Sequence, residues 1–239
     1  MTLLEAERIS VDLGGRTVVK QVSLRAAAGQ LLALIGPNGA GKTTLLAALA
    51  GLRQCRGSVR LQGRPLAALG RRERARVLAY LPQGHIAHWP LTVRRLVELG
   101  RLPHLAPWRA PAAADRLAVE EAMQRTDIAE LAERPFDTLS GGERARVMLA
   151  RVLAVEAPLV LADEPVAALD PYHQLRVMEL LRDYADSGAA LVARGSADEV
   201  LSAVHLAEAY RVTALRGEHE DQRYVLPWRR LAAEESGEA

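Results

Sequence analysis

The chain has 239 residues, with 31 Lys and Arg against 29 Asp and Glu, and its formal charge of +2 gives no reason to expect a nucleic-acid partner. Cys55 is the one cysteine, which excludes an internal disulfide, and no zinc-ligand cluster is present in the sequence. No stretch approaches the ~20 consecutive apolar residues of a membrane span, and no signal-peptide pattern is visible. We therefore expect a soluble, cytoplasmic α/β protein.

Strands and helices alternate along the first part of the chain. Gly14 and Gly15 form a predicted turn between the first two strands. The predicted strands lie at residues 3–12, 17–25, 31–35 and 58–61, and the predicted helices at 42–51 and 72–79, the last leading into Tyr80 and Leu81. Because strands that alternate with helices favour parallel pairing, the sequence predicts a largely parallel sheet.

The segment over residues 84–138 has a different texture. Pro90, Pro103, Pro107 and Pro111 interrupt it, and apolar residues recur with a helical period at 93–99, 115–125 and 127–133. We therefore predict an all-helical insertion between two parts of an α/β core.

The alternation then resumes. The first predicted helix is capped by Ser140 and runs to about residue 154, and a buried strand follows at 159–162. A helix at 172–186 and a second buried strand at 189–193 come next, and a further helix runs from the Ser196/Glu199 capping box to about 209. The last predicted elements are a hairpin at 211–215 and 222–226 and a polar tail at 232–239.

A glycine-rich segment lies between a predicted buried strand and a predicted helix. Residues 36–43 are Gly-Pro-Asn-Gly-Ala-Gly-Lys-Thr, which fits the pattern G-x-x-x-x-G-K-[S/T] in full. Glycines let backbone N–H groups converge on phosphate oxygens, the lysine reaches the β and γ phosphates, and the threonine can bind Mg²⁺. An ordinary glycine-rich turn is the alternative, and the strand-loop-helix context disfavours it. The predicted nucleoside triphosphate site comprises Gly36, Pro37, Asn38, Gly39, Ala40, Gly41, Lys42, Thr43 and Thr44.

Two acidic residues follow the apolar run at 159–162. A Mg²⁺-dependent phosphate site needs a carboxylate at the end of a neighbouring buried strand, and Asp163 supplies one. Glu164, directly after it, could polarise the attacking water. An apolar strand that ends in two acids is common by itself, so it is the preceding phosphate loop that favours this interpretation.

The order of these motifs resembles the ATP-binding subunits of ABC transporters. Residues 139–143, Leu-Ser-Gly-Gly-Glu, resemble the signature motif of that family, Gln83 resembles its Q-loop glutamine, and Asp170 resembles its D-loop aspartate. The resemblance covers nearly the whole chain and implies a single ABC ATP-binding domain over 1–239. The implied fold is α/β, a P-loop NTPase core at about 1–83 and 139–239 with a mostly parallel sheet, N-terminal antiparallel β strands and a helical subdomain at about 84–138.

The resemblance also implies that two chains share their sites. Ser140 and the N–H groups after it form a second anion-binding helix N-terminus, which in the family faces the γ-phosphate of ATP on the opposite subunit. An ordinary N-cap is the alternative for this serine alone. We therefore expect a homodimer that uses ATP and Mg²⁺. The expected roles are Glu164 and Gln83 in catalysis, Asp163, Ser140, Gly141, Gly142 and Asp170 in nucleotide binding, and Thr43, Gln83 and Asp163 at the metal.

Residues 100–104, Gly-Arg-Leu-Pro-His, indicate a branch of the family. They resemble a segment of the ATPases that serve iron-chelate, haem and cobalamin importers, although His104 could equally be a surface histidine. This branch implies two membrane-spanning permease subunits that contact residues 84–110, an indirect solute-binding protein, no nucleic acid, and a peripheral position on the inner face of the cell membrane.

The sequence departs from the family after the strand at 189–193. The family places a switch histidine there that contacts the γ-phosphate, whereas this chain continues as Arg194-Gly195-Ser196. The segment from Gly195 resembles family sequence that normally lies further along, so we interpret the change as an internal deletion of roughly two dozen residues with the histidine loop. One such lost donor typically carries ~10²–10³ in rate, so we expect ATP binding to survive and hydrolysis to be slow.

Three functions remain open at this point. An importer ATPase is the first, and a degenerate cassette that binds ATP but hydrolyses it poorly is the second. A soluble, non-transport ABC ATPase is the third, but such proteins usually carry two cassettes or a long coiled-coil insertion, and the sequence has neither.

Overall fold

The structure is a computed structural model that describes residues 1–32, 34, 39–84, 90–106, 110–166, 169–191, 212–219 and 222–230. Its first layer is an antiparallel sheet of four strands in the order β2-β1-β3-β4. The strands are β1 (Thr2–Leu13), β2 (Arg16–Ala27), β3 (Arg56–Leu61) and β4 (Arg64–Pro65). Gly14 and Gly15 have φ of 55° and 78° and form the turn between β1 and β2, as predicted.

The second sheet is parallel. It contains β5 (Leu78–Leu81), β6 (Leu159–Ala162) and β7 (Ala190–Leu191) in that order. Its middle strand is fully buried, with Leu159, Val160 and Leu161 all at 0% exposure, as its unbroken apolar run predicted. Of the predicted strand at 31–35, residues 33 and 35 lie outside the described residues, as do residues 192 and 193 of the strand predicted at 189–193.

Four helices surround these sheets near the predicted positions. They are α1 (Lys42–Leu49), α2 (Arg71–Val77), α5 (Gly141–Leu153) and α6 (Pro171–Asp186). The predicted end of α2 at Ala79 is wrong, because Leu78 and Ala79 pair with Leu159 and Val160 in the parallel sheet. Burial of these two residues in a strand outweighs their helical propensity.

The segment from 90 to 138 contains α3 (Val93–Glu98) and α4 (Ala113–Arg125), and no named strand lies among its described residues. The predicted helix at 127–133 is wrong, since only a single 3₁₀ turn forms at Ala129–Leu131. Asp127 takes a left-handed φ of 55°, which an α-helix cannot contain. The division into core and helical subdomain at 83/84 and 138/139 stays a prediction.

The middle strand joins two hydrophobic clusters. Leu159 and Leu161 pack with α1 under the antiparallel sheet, whereas Val160 packs with α3, α4, α5 and α6. This alternation follows from the two-residue period of a strand. Residues placed at the end of β6 are therefore held between two packed layers.

A separate hairpin lies near the end of the chain. Its strands are β8 (Val212–His219) and β9 (Gln222–Arg230), which extend the predicted 211–215 and 222–226. The helix predicted from Ser196 and the tail at 232–239 lie outside the described residues. Within the described ranges, no helix combines the length and apolarity that a membrane crossing requires.

Tyr184 ties the end of α6 to the loop that enters β6. Its hydroxyl donates a 2.7 Å hydrogen bond to the carbonyl oxygen of Ala157, and the residue is 9% exposed. Burial, reinforced by the charge of Glu156, raises the pKa of Tyr184 to about 12. A raised folded-state pKa means that the stabilisation is complete below the unfolded value of 10 and is lost as the pH rises through 12.

We expect Tyr184→Phe to lower the free energy of unfolding by ~1 kcal/mol at neutral pH, because it removes a buried hydrogen bond. The difference from the wild type should shrink between pH 10 and pH 12, since phenylalanine does not titrate. Urea denaturation across this range measures both effects. Tyr172→Phe, on the same helix at 67% exposure, is the control, and a difference that stays constant with pH would contradict the prediction.

Candidate functional site

The phosphate loop ends in two glycines that need a left-handed backbone. Gly39 and Gly41 have φ of 84° and 86°, and Gly41 is the N-cap of α1. A Cβ at Gly41 would lie 3.0 Å from Cγ1 of Val18 and 3.1 Å from Cγ2 of Val19. Glycine is therefore required at position 41 for both conformation and space. Gly36, Pro37 and Asn38 lie outside the described residues.

Helix α1 presents its first turn at this loop. Its buried side chains pack under the antiparallel sheet, whereas Lys42 and Thr44 are half-buried and Thr43 is exposed. The first N–H groups of a helix have no partner within it and favour an anion. This end of α1 is thus suited to a phosphate, with Lys42 and Thr43 at its edge.

Asp163 lies where β6 leaves the parallel sheet. Its N–H donates to the carbonyl oxygen of Leu81 at 2.9 Å, which extends the pairing of β5 with β6 by one step. The residue is only 5% exposed, and within the described part of the chain its buried Oδ2 has no hydrogen-bond partner. Burial and the charge of this carboxylate both raise the pKa of Tyr80 on the neighbouring strand.

Glu164 and Gln83 meet beside Asp163. Nε2 of Gln83 donates a 2.7 Å hydrogen bond to Oε2 of Glu164, across 81 positions of sequence. Glu164 is exposed and takes a φ of 53°, a left-handed value that costs a glutamate energy. Parallel pairing of β5 with β6 brings the two side chains together, because it places the carboxyl ends of both strands at one edge.

Ser140 is the N-cap of α5, and its contacts form a complete capping box. Its Oγ accepts from the N–H of Glu143 at 3.3 Å, and its own N–H donates to Oε2 of Glu143 at 2.7 Å. Chiefly through this backbone hydrogen bond, the pKa of Glu143 is lowered. A hydrogen bond from the Ser140 side chain to the same carboxylate lowers the pKa of Glu143 further.

Asp170 caps α6 and pairs with His173. One oxygen accepts from the backbone N–H of His173 at 3.0 Å, and the other lies 2.7 Å from Nδ1 of the same residue. Chiefly the first of these bonds lowers the pKa of Asp170. The described contacts join Gln83 to Glu164 but join neither Ser140 nor Asp170 to that pair.

His104 is partly exposed and bonds to the backbone of another segment. Its ring nitrogen lies 2.8 Å from the carbonyl oxygen of Val155, and the residue is half-buried. Arg101, three residues before His104, is only 6% exposed. Its sequence neighbourhood did not predict this burial, because a charged residue is expected at the surface. Within the segment at 100–104, Gly100 and Arg101 are therefore buried, whereas Leu102 is exposed.

The residues at the ends of β5 and β6 fit a magnesium ion. A buried carboxylate oxygen without a hydrogen-bond partner is what a hard cation requires, and Asp163 provides one. Among the described residues no group of three or more His, Cys, Asp or Glu side chains could hold a metal. A cation here would depend on one carboxylate together with hydroxyl, amide and phosphate oxygens, which is the usual arrangement for Mg²⁺ at phosphate sites.

Comparison with known proteins gives consistent matches. The family model described as ABC transporter matches residues 19–167, which is more than half of the chain. The hemin import ATP-binding protein HmuV of Streptomyces coelicolor is 48% identical over 217 residues, which cover 90% of this chain and 75% of that protein.

Solved structures agree with this match. A chain of an ABC transporter in an inward-facing conformation superposes with a TM-score of 0.79 over 96% of this chain and 98% of its own, at 23% identity, and supports the fold. A dimeric ATP-binding cassette in a post-hydrolysis state, bound to ADP and phosphate, superposes with a TM-score of 0.69 over 80% of this chain and 87% of its own, at 25% identity. The predicted P-loop NTPase fold is confirmed.

We expect Lys42→Ala to abolish measurable binding of Mg-ATP, because it removes a cation from the first turn of α1. Isothermal titration calorimetry measures the affinity. The sequence contains one other lysine, Lys20, which is exposed on β2, so Lys20→Ala is a matched control with the same loss of charge. Equal affinities for the two variants would contradict the assignment of the phosphate loop.

Proposed function

The chain belongs to the ABC transporter family of ATPases, and from this premise we propose that it is the ATP-hydrolysing subunit of a haem importer. The hydrogen bond between Gln83 and Glu164, beside the unpartnered carboxylate oxygen of Asp163, carries the proposal. It brings the metal-binding carboxylate of Asp163, the amide of Gln83 and the base Glu164 to one edge of the parallel sheet, at the end of β5. Iron chelates and cobalamin are the related ligands suggested by the resemblance of residues 100–104.

The phosphate loop binds the triphosphate. Backbone N–H groups at residues 39–44 would hold the phosphate oxygens, and Lys42 would add its charge at the β and γ phosphates. Thr43, Gln83 and Asp163 would hold a magnesium ion, which would supply charge neutralisation at those phosphates. The buried environment of Asp163 strengthens this interaction.

Glu164 is the general base. Its carboxylate polarises the water that attacks the γ-phosphate, and Gln83 holds that carboxylate through its amide N–H. The amide oxygen of Gln83 would then be available to the metal, so that one side chain would contact both groups. Glu164 directly follows Asp163, whose N–H bonds to the carbonyl oxygen of Leu81, and this held strand end supports the left-handed backbone of Glu164.

Two chains form the functional unit. Ser140, Gly141 and Gly142 at the start of α5 contact the γ-phosphate bound to the other chain, and Asp170 lies at the same interface. The dimeric cassette of similar fold supports this arrangement. Closure of the two chains around ATP would then drive the transport cycle.

Two membrane-spanning permease subunits are the further partners, and they dock on residues 84–110. A solute-binding protein would deliver the ligand to those permeases from the other side. This chain would consequently lie on the inner face of the membrane without entering it.

Cells that lack the ATPase of their own haem importer provide a test when they carry the permeases encoded beside this chain. Growth with haem as the iron source should return with this chain and fail with Lys42→Ala. Growth that returns equally with both variants would exclude an importer role that depends on ATP.

A cassette that binds ATP but hydrolyses it slowly is the second candidate. The observation that favours it is the sequence after β7, which continues as Val192-Ala193-Arg194-Gly195-Ser196 where the family has a histidine. Without that donor, the developing charge on the γ-phosphate loses one stabilising contact. Importer architecture and slow turnover are compatible, so the two candidates differ in rate.

We expect Ser140→Arg to weaken ATP-dependent dimerisation by at least ~10-fold, because it puts bulk and charge at the start of α5. Analytical ultracentrifugation with and without Mg-ATP measures the dimer fraction. Ser58→Arg, an equal change at an exposed position of β3, is the control. Equal dimer fractions for Ser140→Arg and the wild type would refute the trans contact.

We expect the wild-type chain to bind ATP yet hydrolyse it slowly, and Glu164→Gln to reduce turnover by less than ~10-fold. Residues that act as one catalytic unit are non-additive, so the loss of a second member costs little. Steady-state phosphate release, measured beside ATP binding on the same sample, tests this. Glu179→Gln on the exposed face of α6 is the control.

A restored chain sharpens this test. Insertion of a family-type histidine loop after Val192, together with the missing helix and strands, should raise turnover by ~10²-fold. It should also restore sensitivity to Glu164→Gln. Turnover of ~1–10³ s⁻¹ by the unmodified chain would contradict the prediction and make Ser196 and His173 the next groups to test.

A further inference from the structure

The segment Gly100–His104 connects parts of the protein that lie far apart in sequence, and the proposed chemistry does not use it. It follows α3 through a 3₁₀ turn at Leu99–Arg101. Four of its five residues contact other elements through backbone or side-chain atoms. The contacts fall on two main sides, the C-terminal end of α5 and the exposed face of α2, and Arg101 also bonds to Asp115 of α4.

The first side is the end of α5. Nη1 of Arg101 donates to the carbonyl oxygen of Ala154, the C-cap of that helix, at 2.8 Å. The ring of His104 bonds to the next carbonyl, that of Val155, at 2.8 Å. A Cβ at Gly100 would overlap the carbonyl oxygen of Arg151 in the last helical turn. The segment therefore both caps α5 and approaches its backbone as closely as glycine permits.

Arg101 is held rigidly at this junction. Its Nε bonds to Oδ1 of Asp115 at 3.0 Å, and its Nη1 bonds to Oε2 of Glu156 at 2.6 Å. Burial opposes ionisation of Asp115, but hydrogen bonds from the Ala112 N–H and from Arg101 outweigh it and lower the pKa of this carboxyl. The planar guanidinium thus makes three directed contacts, which a lysine could not reproduce.

The second side is α2. The carbonyl oxygen of Pro103 accepts hydrogen bonds from Nε of Arg72 at 2.9 Å and from Nε of Arg76 at 2.7 Å. Helix α2 continues directly into β5, the strand that ends two residues before Gln83. The segment is therefore bonded both to the helix that begins after Ser140 and to the helix that leads to Gln83.

We propose that Arg101 is a positioning residue that sets the direction of α5 relative to the core, and thereby the place of Ser140 in the ATP-bound dimer. This rests on the proposed trans contact of Ser140. With 13 residues, α5 is ~20 Å long, so a tilt of about 3° at its C-terminal end moves its N-terminal end by ~1 Å. Displacements of ~1 Å at a reacting or binding centre can cost ~10² in rate.

The alternative is that Arg101 contributes only to stability. In that case a change at Arg101 and a change at Ser140 act independently, because the two residues lie at opposite ends of α5 and distant sites are additive. If Arg101 acts through Ser140, the two changes are coupled. A double-mutant cycle therefore separates the two roles.

The experiment measures the ATP-dependent dimerisation constant of wild type, R101K, S140A and R101K/S140A by analytical ultracentrifugation. R101K keeps the charge and loses the planar fork. We expect it to weaken dimerisation at least ~3-fold more in the wild-type background than in the S140A background. R94K is the matched control, since Arg94 lies on α3 and bonds Glu120 of α4 and Glu133 rather than α5.

The second variant is R72A/R76A, which removes the bonds to Pro103 at two exposed positions. It keeps the test decisive if R101K does not fold. We expect it, like R101K, to weaken dimerisation more in the wild-type background than in the S140A background. R71A, an exposed arginine on the same helix, is its control.

Two outcomes overturn the inference. The first is that R101K weakens dimerisation by the same factor in the wild-type and S140A backgrounds. If R101K does not fold, the same comparison is made with R72A/R76A. Equal factors would restrict the segment to a stabilising role. A wild-type chain that does not dimerise with ATP would overturn the proposed function itself, and with it the inference that rests on it.

Discussion

The parallel pairing of β5 with β6 is the interaction on which the site depends. The N–H of Asp163 donates to the carbonyl oxygen of Leu81, just beyond the paired strands. This bond fixes the positions of Gln83 and Glu164 relative to each other. Two positions beyond Leu81 lies Gln83, and one beyond Asp163 lies Glu164, so their 2.7 Å hydrogen bond is a consequence of register. A slip of the pairing by one residue would turn these side chains to opposite faces.

Burial makes that register costly to change. The middle strand packs on both faces, with Leu159 and Leu161 toward one hydrophobic cluster and Val160 toward the other. The strand end therefore carries a carboxylate that is nearly excluded from water and a glutamate held in a left-handed conformation. Both features are unfavourable in isolation, and the packed layers around them supply the compensating stability.

Helix α5 connects this packing to the second half of the proposed site. Its capping box orders Ser140 at one end, and Arg101 and His104 satisfy its terminal carbonyl groups at the other. The helix is thus defined at both ends by side-chain contacts, and its buried face joins α3, α4 and α6 in one cluster. Geometry at its N-terminus is consequently sensitive to contacts at its C-terminus.

Local signals in the sequence were sufficient for the elements and motifs closest to the chemistry. Periodicity predicted the β1–β2 hairpin, α5 with its Ser140 cap, the buried strand at 159–162 and α6, because each depends on a nearby turn, cap or apolar run. Local patterns also predicted a helix at 127–133 and extended α2 to Ala79. Only the tertiary structure could correct these, since the left-handed Asp127 and the pairing of Leu78 and Ala79 with β6 are set by packing between distant segments.

The site shows the same division. Lys42, Asp163 and Glu164 could be identified from spacing, because a phosphate loop and a strand-end carboxylate are short motifs. The sequence by itself thus determined which residue types carry the proposed chemistry. Tertiary structure decided that Gln83 bonds Glu164 and that Arg101 is buried between two acids. It also decided that a buried oxygen of Asp163 has no hydrogen-bond partner among the residues that the structure describes. Those facts depend on strand register and on contacts across tens of residues, and no local pattern of apolar or charged residues encodes such distances.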